Sequence, residues 1–146
     1  MKIKFSNEKP KILERCEEAF GVKWNKGVII TYGDTIYCKR KLQEPKISHE
    51  KVHVKQQNEY GVEKWWNIYF EYPSFRLEQE LEAYQAEVDW IKSHVFNMSM
   101  RNSMFDKIAM DLSSPMYGSI VTYREVIKLL DLSYEKIKSN QKGFKK

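Results

Sequence analysis

Ile47-Ser48-His49-Glu50-Lys51-Val52-His53-Val54-Lys55-Gln56-Gln57 is the stretch from which the rest of this chain can be read. Pro45 suits the first turn of a helix, where its missing N–H would be unpaired in any case. Gly61 is a natural stop, so the spacing predicts one helix from 45 to about 60. On that helix His49 and His53 lie one turn apart on one face, and both rings can reach a single metal ion from the same side. Glu50 sits on the neighbouring stripe, within reach of a water on that ion. Only three His occur in the 146 residues, and two of them are here. The bland alternative is a solvated face carrying two surface histidines, with Lys51 and Lys55 facing water beside them.

Upstream, residues 8–20 read as an amphipathic helix, with Ile12, Leu13, Cys16, Ala19 and Phe20 on the helical period and Gly21 as its stop. Gly27-Val28-Ile29-Ile30-Thr31-Tyr32 and Thr35-Ile36-Tyr37-Cys38-Lys39 are β-rich runs joined by Gly33-Asp34, which predicts a hairpin. Downstream, residues 61–75 are dense in aromatics: Trp65, Trp66, Tyr69, Phe70, Tyr72 and Phe75. Such density points to core or a packed corner rather than to a ligand box. Pro73 interrupts it, and Ser74 is a candidate N-cap for the next helix. That helix, about 75–96, carries Leu77, Leu81, Tyr84, Val88, Ile91 and Val95 at steps of three and four. Glu78, Glu82, Gln85 and Asp89 form its adjacent stripe. Shorter helical segments follow at 103–112 and from Thr122, whose Thr-x-x-Glu spacing with Glu125 predicts a capping box. Ser133 can cap a last piece.

Composition narrows the classes. Hydrophobic residues make up 42% and there are four Pro and six Gly, which excludes a low-complexity chain and suits one domain over 1–146 with a real core. The net charge of +5 is modest, and the Lys are interspersed with Glu, so no nucleic-acid motif stands out. From about 136 to 146 the tail carries five Lys and no acid, and is expected to be mobile or to dock on something acidic. Cys16 and Cys38 fall in different elements; a disulfide between them is open to the sequence, but a pair of free buried thiols is expected. No signal-peptide core and no run of membrane-spanning length is visible, so the expectation is a soluble cytoplasmic protein with no membrane partner.

His49-Glu50-x-x-His53-Val54-x-Gln56-Gln57 resembles the active helix of small zincin-type metallopeptidases, of the kind often encoded by phages and bacteria. The likeness runs from about Tyr32 to Asp89; neither end of the chain contributes to it. It implies an α+β fold in which a small sheet packs on the active helix and a long Glu-bearing helix follows, with a helical C-terminal part. In such proteins an extended substrate pairs with an exposed strand edge. The resemblance further implies a catalytic Zn2+ with three protein ligands and an open position. His94 is not at the spacing that would make it the third ligand, so a Glu of the long helix is expected, the gluzincin arrangement. Glu80-Leu81-Glu82-Ala83-Tyr84 looks like the Glu-x-Glu-Ala-Tyr run of related peptidases and favours Glu82, with Glu78 and Glu80 as alternatives. Asp89 is the candidate to orient a ligand. Glu50 is then the general base in peptide-bond hydrolysis. Tyr60, Tyr84 and His94 are equal candidates to steady the oxyanion.

The partner expected is a protein or peptide substrate. A competing reading keeps the fold without the chemistry: a structural protein in an assembly such as a phage virion, gripping a partner through its C-terminal part. Its compartment would then be host cytoplasm or virion.

Overall fold

A computed structural model describes residues 2–132, and within them six α-helices and three strands form an α+β fold. The first strand, β1, is Lys4–Ser6; helix α1 follows at Leu13–Phe20; β2 (Ile29–Tyr32) and β3 (Thr35–Cys38) form the hairpin. Gly33 turns it with φ 65°, a left-handed conformation in which a Cβ would be strained. The strand order is β1-β3-β2, with β1 parallel and β2 antiparallel to the central β3. β2 is therefore an edge strand.

Helix α2 spans Glu44–Tyr60, with Pro45 in its first turn, and Gly61 at φ 91° ends it. The aromatic stretch expected as core or a packed corner is core, carried on a helix, α3, over Val62–Glu71. Its Trp65, Trp66 and Tyr69 are buried while Glu63, Lys64 and Asn67 stay in water, which is helical spacing. The long helix α4 runs Pro73–His94; Pro73 opens it, and Tyr72 rather than Ser74 takes the N-cap position. Helix α5 (Met98–Leu112) starts earlier than the periodicity suggested, because Asn97 caps it by accepting from the Met100 N–H. Helix α6 (Tyr123–Leu129) opens with the full Thr122–Glu125 capping box.

Two apolar clusters flank α4. One joins Val88 and Ile91 to Phe105, Ile108, Leu112, Val126 and Leu132 of the C-terminal part. The other joins α1, β2 and α3 through Cys16, Ile30, Trp65, Trp66 and Tyr69. Between them, a short 3-10 turn at Pro115–Tyr117 is tied down by Arg76, whose Nε donates to the Met116 carbonyl at 2.8 Å and whose Nη1 donates to the Tyr69 carbonyl at 2.6 Å. Gly118 ends that turn at φ 80°; a Cβ there would stand 2.9 Å from the Pro73 Cβ, so the backbone approach needs glycine. Cys16 and Cys38 are both free thiols. Among the described residues no helix is long and apolar enough to cross a membrane. The expected Ser133 cap and the basic tail lie outside the described residues.

Candidate metal centre

The face that α2 turns inward is polar. His49, Glu50, His53, Gln56 and Gln57 are all buried, against only Pro45 and Val54 among its apolar residues. Buried polar groups are tolerated only when each finds a partner. Here the partners come from α4 and β2.

The carboxylate that meets both imidazoles is Glu80. His49 Nε2 lies 3.0 Å from Glu80 Oε1, and His53 Nε2 lies 3.1 Å from Glu80 Oε2. The three ligand atoms available from His49, His53 and Glu80 all lie within 4.8 Å of one another. Glu82, the residue favoured by the Glu-x-Glu-Ala-Tyr match, is outside this cluster. Two residues along a helix is a rotation of about 200°, so Glu80 and Glu82 cannot share a face. Glu82 is exposed, and its carboxylate accepts from Gln56 Nε2 at 2.7 Å. Glu78 is exposed as well.

Each imidazole is also held from behind. His49 Nδ1 donates to Glu87 Oε1 at 2.9 Å, and Lys46 Nζ lies 3.2 Å from the other oxygen of Glu87. His53 Nδ1 donates to Gln56 Oε1 at 2.9 Å, and Gln56 Nε2 donates in turn to the Gln79 carbonyl at 3.0 Å. Both rings thus present Nε2 to the centre, the nitrogen that could ligate a metal on losing its proton, with the backing hydrogen bonds that metal-bound histidines usually have. Asp89, expected in that backing role, is exposed and accepts from Gln85. Tyr69 steadies Glu80 itself, its hydroxyl donating to Oε2 at 2.7 Å.

Glu50 points into the same space from the adjacent stripe of α2. The Thr31 hydroxyl of β2 donates to its Oε1 at 2.8 Å, and its Oε2 stands 3.8 Å from His49 Nε2. A cavity of about 400 Å³ opens in front of these groups. Edge strand β2 lines one side of it, and Asp111, Met116 and Tyr117 line the other. Of the three expected oxyanion candidates only Tyr84 reaches the cavity, and its hydroxyl donates to Asp111 Oδ2 at 3.2 Å. Tyr60 and His94 are exposed elsewhere, His94 stacked on Trp90.

The charges in the cluster depend on one another. Burial works against a charged His49, but hydrogen bonds to Glu80 and Glu87 and the nearby charge of Glu50 outweigh it and push its pKa up to about 10. Burial likewise opposes charge on His53, and Glu80 reverses it upward. Burial would raise the Glu80 carboxyl, yet the two imidazoles hold it well below the usual carboxylate range. A cation in the middle would take over the role these protons play.

Two histidines and a carboxylate, with Nε2 atoms forward, are the donor set of a site that could hold a divalent transition metal. The chain matches no protein-family model, no curated protein and no solved structure. What the cluster can do therefore follows from its own atoms. The residues that sequence reading missed are Glu87, Thr31, Gln56, Tyr69 and Tyr117. A signal existed for the first: Leu77, Glu80, Tyr84, Glu87 and Ile91 recur at alternating steps of three and four, so both acids fall on the inward stripe of α4.

Proposed function

We propose that this chain is a zinc-dependent peptidase with a zincin-like fold, in which His49, His53 and Glu80 hold the metal and Glu50 is the general base. The observation that carries this reading is the convergence of two backed Nε2 atoms and one carboxylate beside a second, separately held carboxylate at a cavity. A zinc ion held by that donor set supplies two things: it acidifies a water toward neutrality and polarises a carbonyl.

The chain's own groups supply the rest. Thr31 fixes Glu50 Oε1, which leaves Oε2 turned toward the ligand set. From there Oε2 can take the proton of the attacking water and return it to the leaving amine. The nearly complete burial of His49, Glu50 and His53, each 6% exposed or less, keeps bulk water from competing. Edge strand β2 offers backbone groups for an extended peptide, the mode by which strand-pairing grooves bind their ligands.

Metal analysis and a peptide-library digest test this reading on wild type and Glu50→Gln. Both proteins are expected to bind one zinc, and Glu50→Gln to lose cleavage by at least about 100-fold. Equal cleavage by the two would remove Glu50 from its role. Zinc-loaded wild type that cleaves nothing in a diverse library would leave a metal-holding structural protein.

A further inference from the structure

The cavity has a side recess. About 70 Å³ in volume, it is lined by Cys16, Phe20, Val22, Val28, Trp66 and Met116 together with Ile29, Ile30 and Tyr69. Val22, Val28, Ile29, Ile30, Trp66, Tyr69 and Met116 also line the main cavity, so the recess adjoins the chamber that holds Glu50 and the histidines. Its walls come from α1, β2, α3 and the 3-10 turn, largely from parts of the chain outside the metal motif.

The recess offers no free hydrogen-bonding side chain. The Tyr69 hydroxyl is committed to Glu80. The indole N–H of Trp66 is buried without a partner and is itself closed to solvent, so it does not present a donor. The Cys16 thiol is held neutral, with burial pushing its pKa up to about 12. A single water needs about 10–15 Å³, so the recess has room for about five to seven non-hydrogen atoms. A leucine or methionine side chain fits within it.

The edge of β2 fixes where a peptide could lie relative to the recess. Gln57 already occupies part of that edge: its Nε2 donates to the Thr31 carbonyl at 2.7 Å, and its Oε1 accepts from the Gly33 N–H at 2.7 Å. Backbone groups alternate sides along a strand, so those of Ile29 share the outer edge with Thr31. Gln57 thus leaves Ile29 and the Thr31 N–H for pairing, and Ile29 lines the recess.

We propose that this recess is the specificity pocket of the site and that it takes a medium-sized aliphatic side chain, leucine or methionine, from a peptide paired with Ile29. The assignment rests on the peptidase reading, and it names the substrate class. Acidic and amide side chains are rejected because nothing in the recess can replace their lost water. The indole of tryptophan is rejected by size.

Binding tests it separately from cleavage. Zinc-loaded Glu50→Gln protein is titrated with two blocked tetrapeptides that differ at one position, leucine in one and aspartate in the other. The leucine peptide is expected to bind about 10- to 100-fold tighter. Cys16→Leu, which fills the recess, should erase that difference. Val22→Phe fills it from outside the helix and serves if Cys16→Leu does not fold. Equal binding of the two peptides, no binding of either, or an unchanged preference in a folded filled variant would overturn the pocket. A wild type that cleaves without aliphatic preference would also overturn it while leaving the metal chemistry standing.

Discussion

Helix α4 serves two interiors that are built on opposite principles. Toward α5 and α6 it contributes Val88 and Ile91 to a cluster with Phe105, Ile108, Leu112, Val126 and Leu132, all apolar and all nearly inaccessible. Toward α2 it contributes Glu80 and Glu87, which face His49 and His53 at hydrogen-bond distance. The first interior is held by burial, which is non-directional and forgiving of sequence. The second is held by directional contacts between groups that were costly to bring out of water. A fold needs the first kind of interior. The second kind adds little stability for its cost, and its retention points to use.

The largest expected effect breaks the comparison on the apolar side. Phe105→Ala leaves a void in a sealed core and should cost about 3–5 kcal/mol of unfolding free energy. Phe105 belongs to the C-terminal cluster and does not line the cavity, so the folded fraction should bind zinc as wild type does. Denaturant unfolding and metal titration on the same sample check both halves. A large loss of zinc affinity in still-folded Phe105→Ala would mean that the two interiors are one cooperative unit.

The next effect sharpens the polar side. Glu87→Gln keeps the shape but weakens the acceptor that orients His49, and should lower zinc affinity about 10- to 100-fold. That is about 1.4–2.8 kcal/mol. Glu82→Gln, by contrast, should leave zinc affinity unchanged, since Glu82 is exposed and bonds only Gln56 on this side. Competition titration with a chromogenic chelator reads both. A loss in Glu82→Gln equal to that in Glu87→Gln would mean that Glu82, through Gln56, orients His53 as Glu87 orients His49.

The same contrast explains what was legible beforehand. The two histidines, Glu50, the hairpin and the Thr122 capping box could be read locally, because each is set by spacing within a few residues. The third ligand could not be settled by matching a short run of letters. Glu80-Leu81-Glu82 offers two acids in one match, and only the rotation of the helix separates them. The period that marks α4 as helical also places Glu80 and Glu87 inward, but acids on an apolar stripe read as noise until their partners are known. Helix α3 was hidden for a different reason: its aromatics are uniformly apolar, and the flanking Gly61 and Pro73 look like a corner from either side. Thr31, Gln57 and Tyr117 reach the site across long chain separations that no local pattern encodes.

The smallest effect concerns pH, and here the two interiors should respond differently. The buried tyrosines of the apolar cluster, Tyr84 and Tyr117, are pushed well above the ordinary tyrosine range by burial and so stay neutral. In the polar one, His49 has a folded pKa raised from 6.5 to about 10, so in protein stripped of metal its contribution to stability is complete below pH 6.5 and is lost as the pH rises toward 10. Glu80 has a lowered pKa, so its contribution is complete above its ordinary 4.5 and is lost as the pH falls through the folded value. The cluster should therefore support the metal-stripped chain best between about pH 4.5 and 6.5. Zinc reverses the slope, since ligation requires neutral imidazoles and its binding releases protons. Denaturation midpoints at pH 6 and pH 9, with chelator and with saturating zinc, measure the two slopes. With chelator the protein should lose stability between the two values. With zinc the stabilisation over the chelated form should grow across the same interval. If the chelated protein is as stable at pH 9 as at pH 6, the histidines are neutral already and the proton network between α2 and α4 is not what holds them.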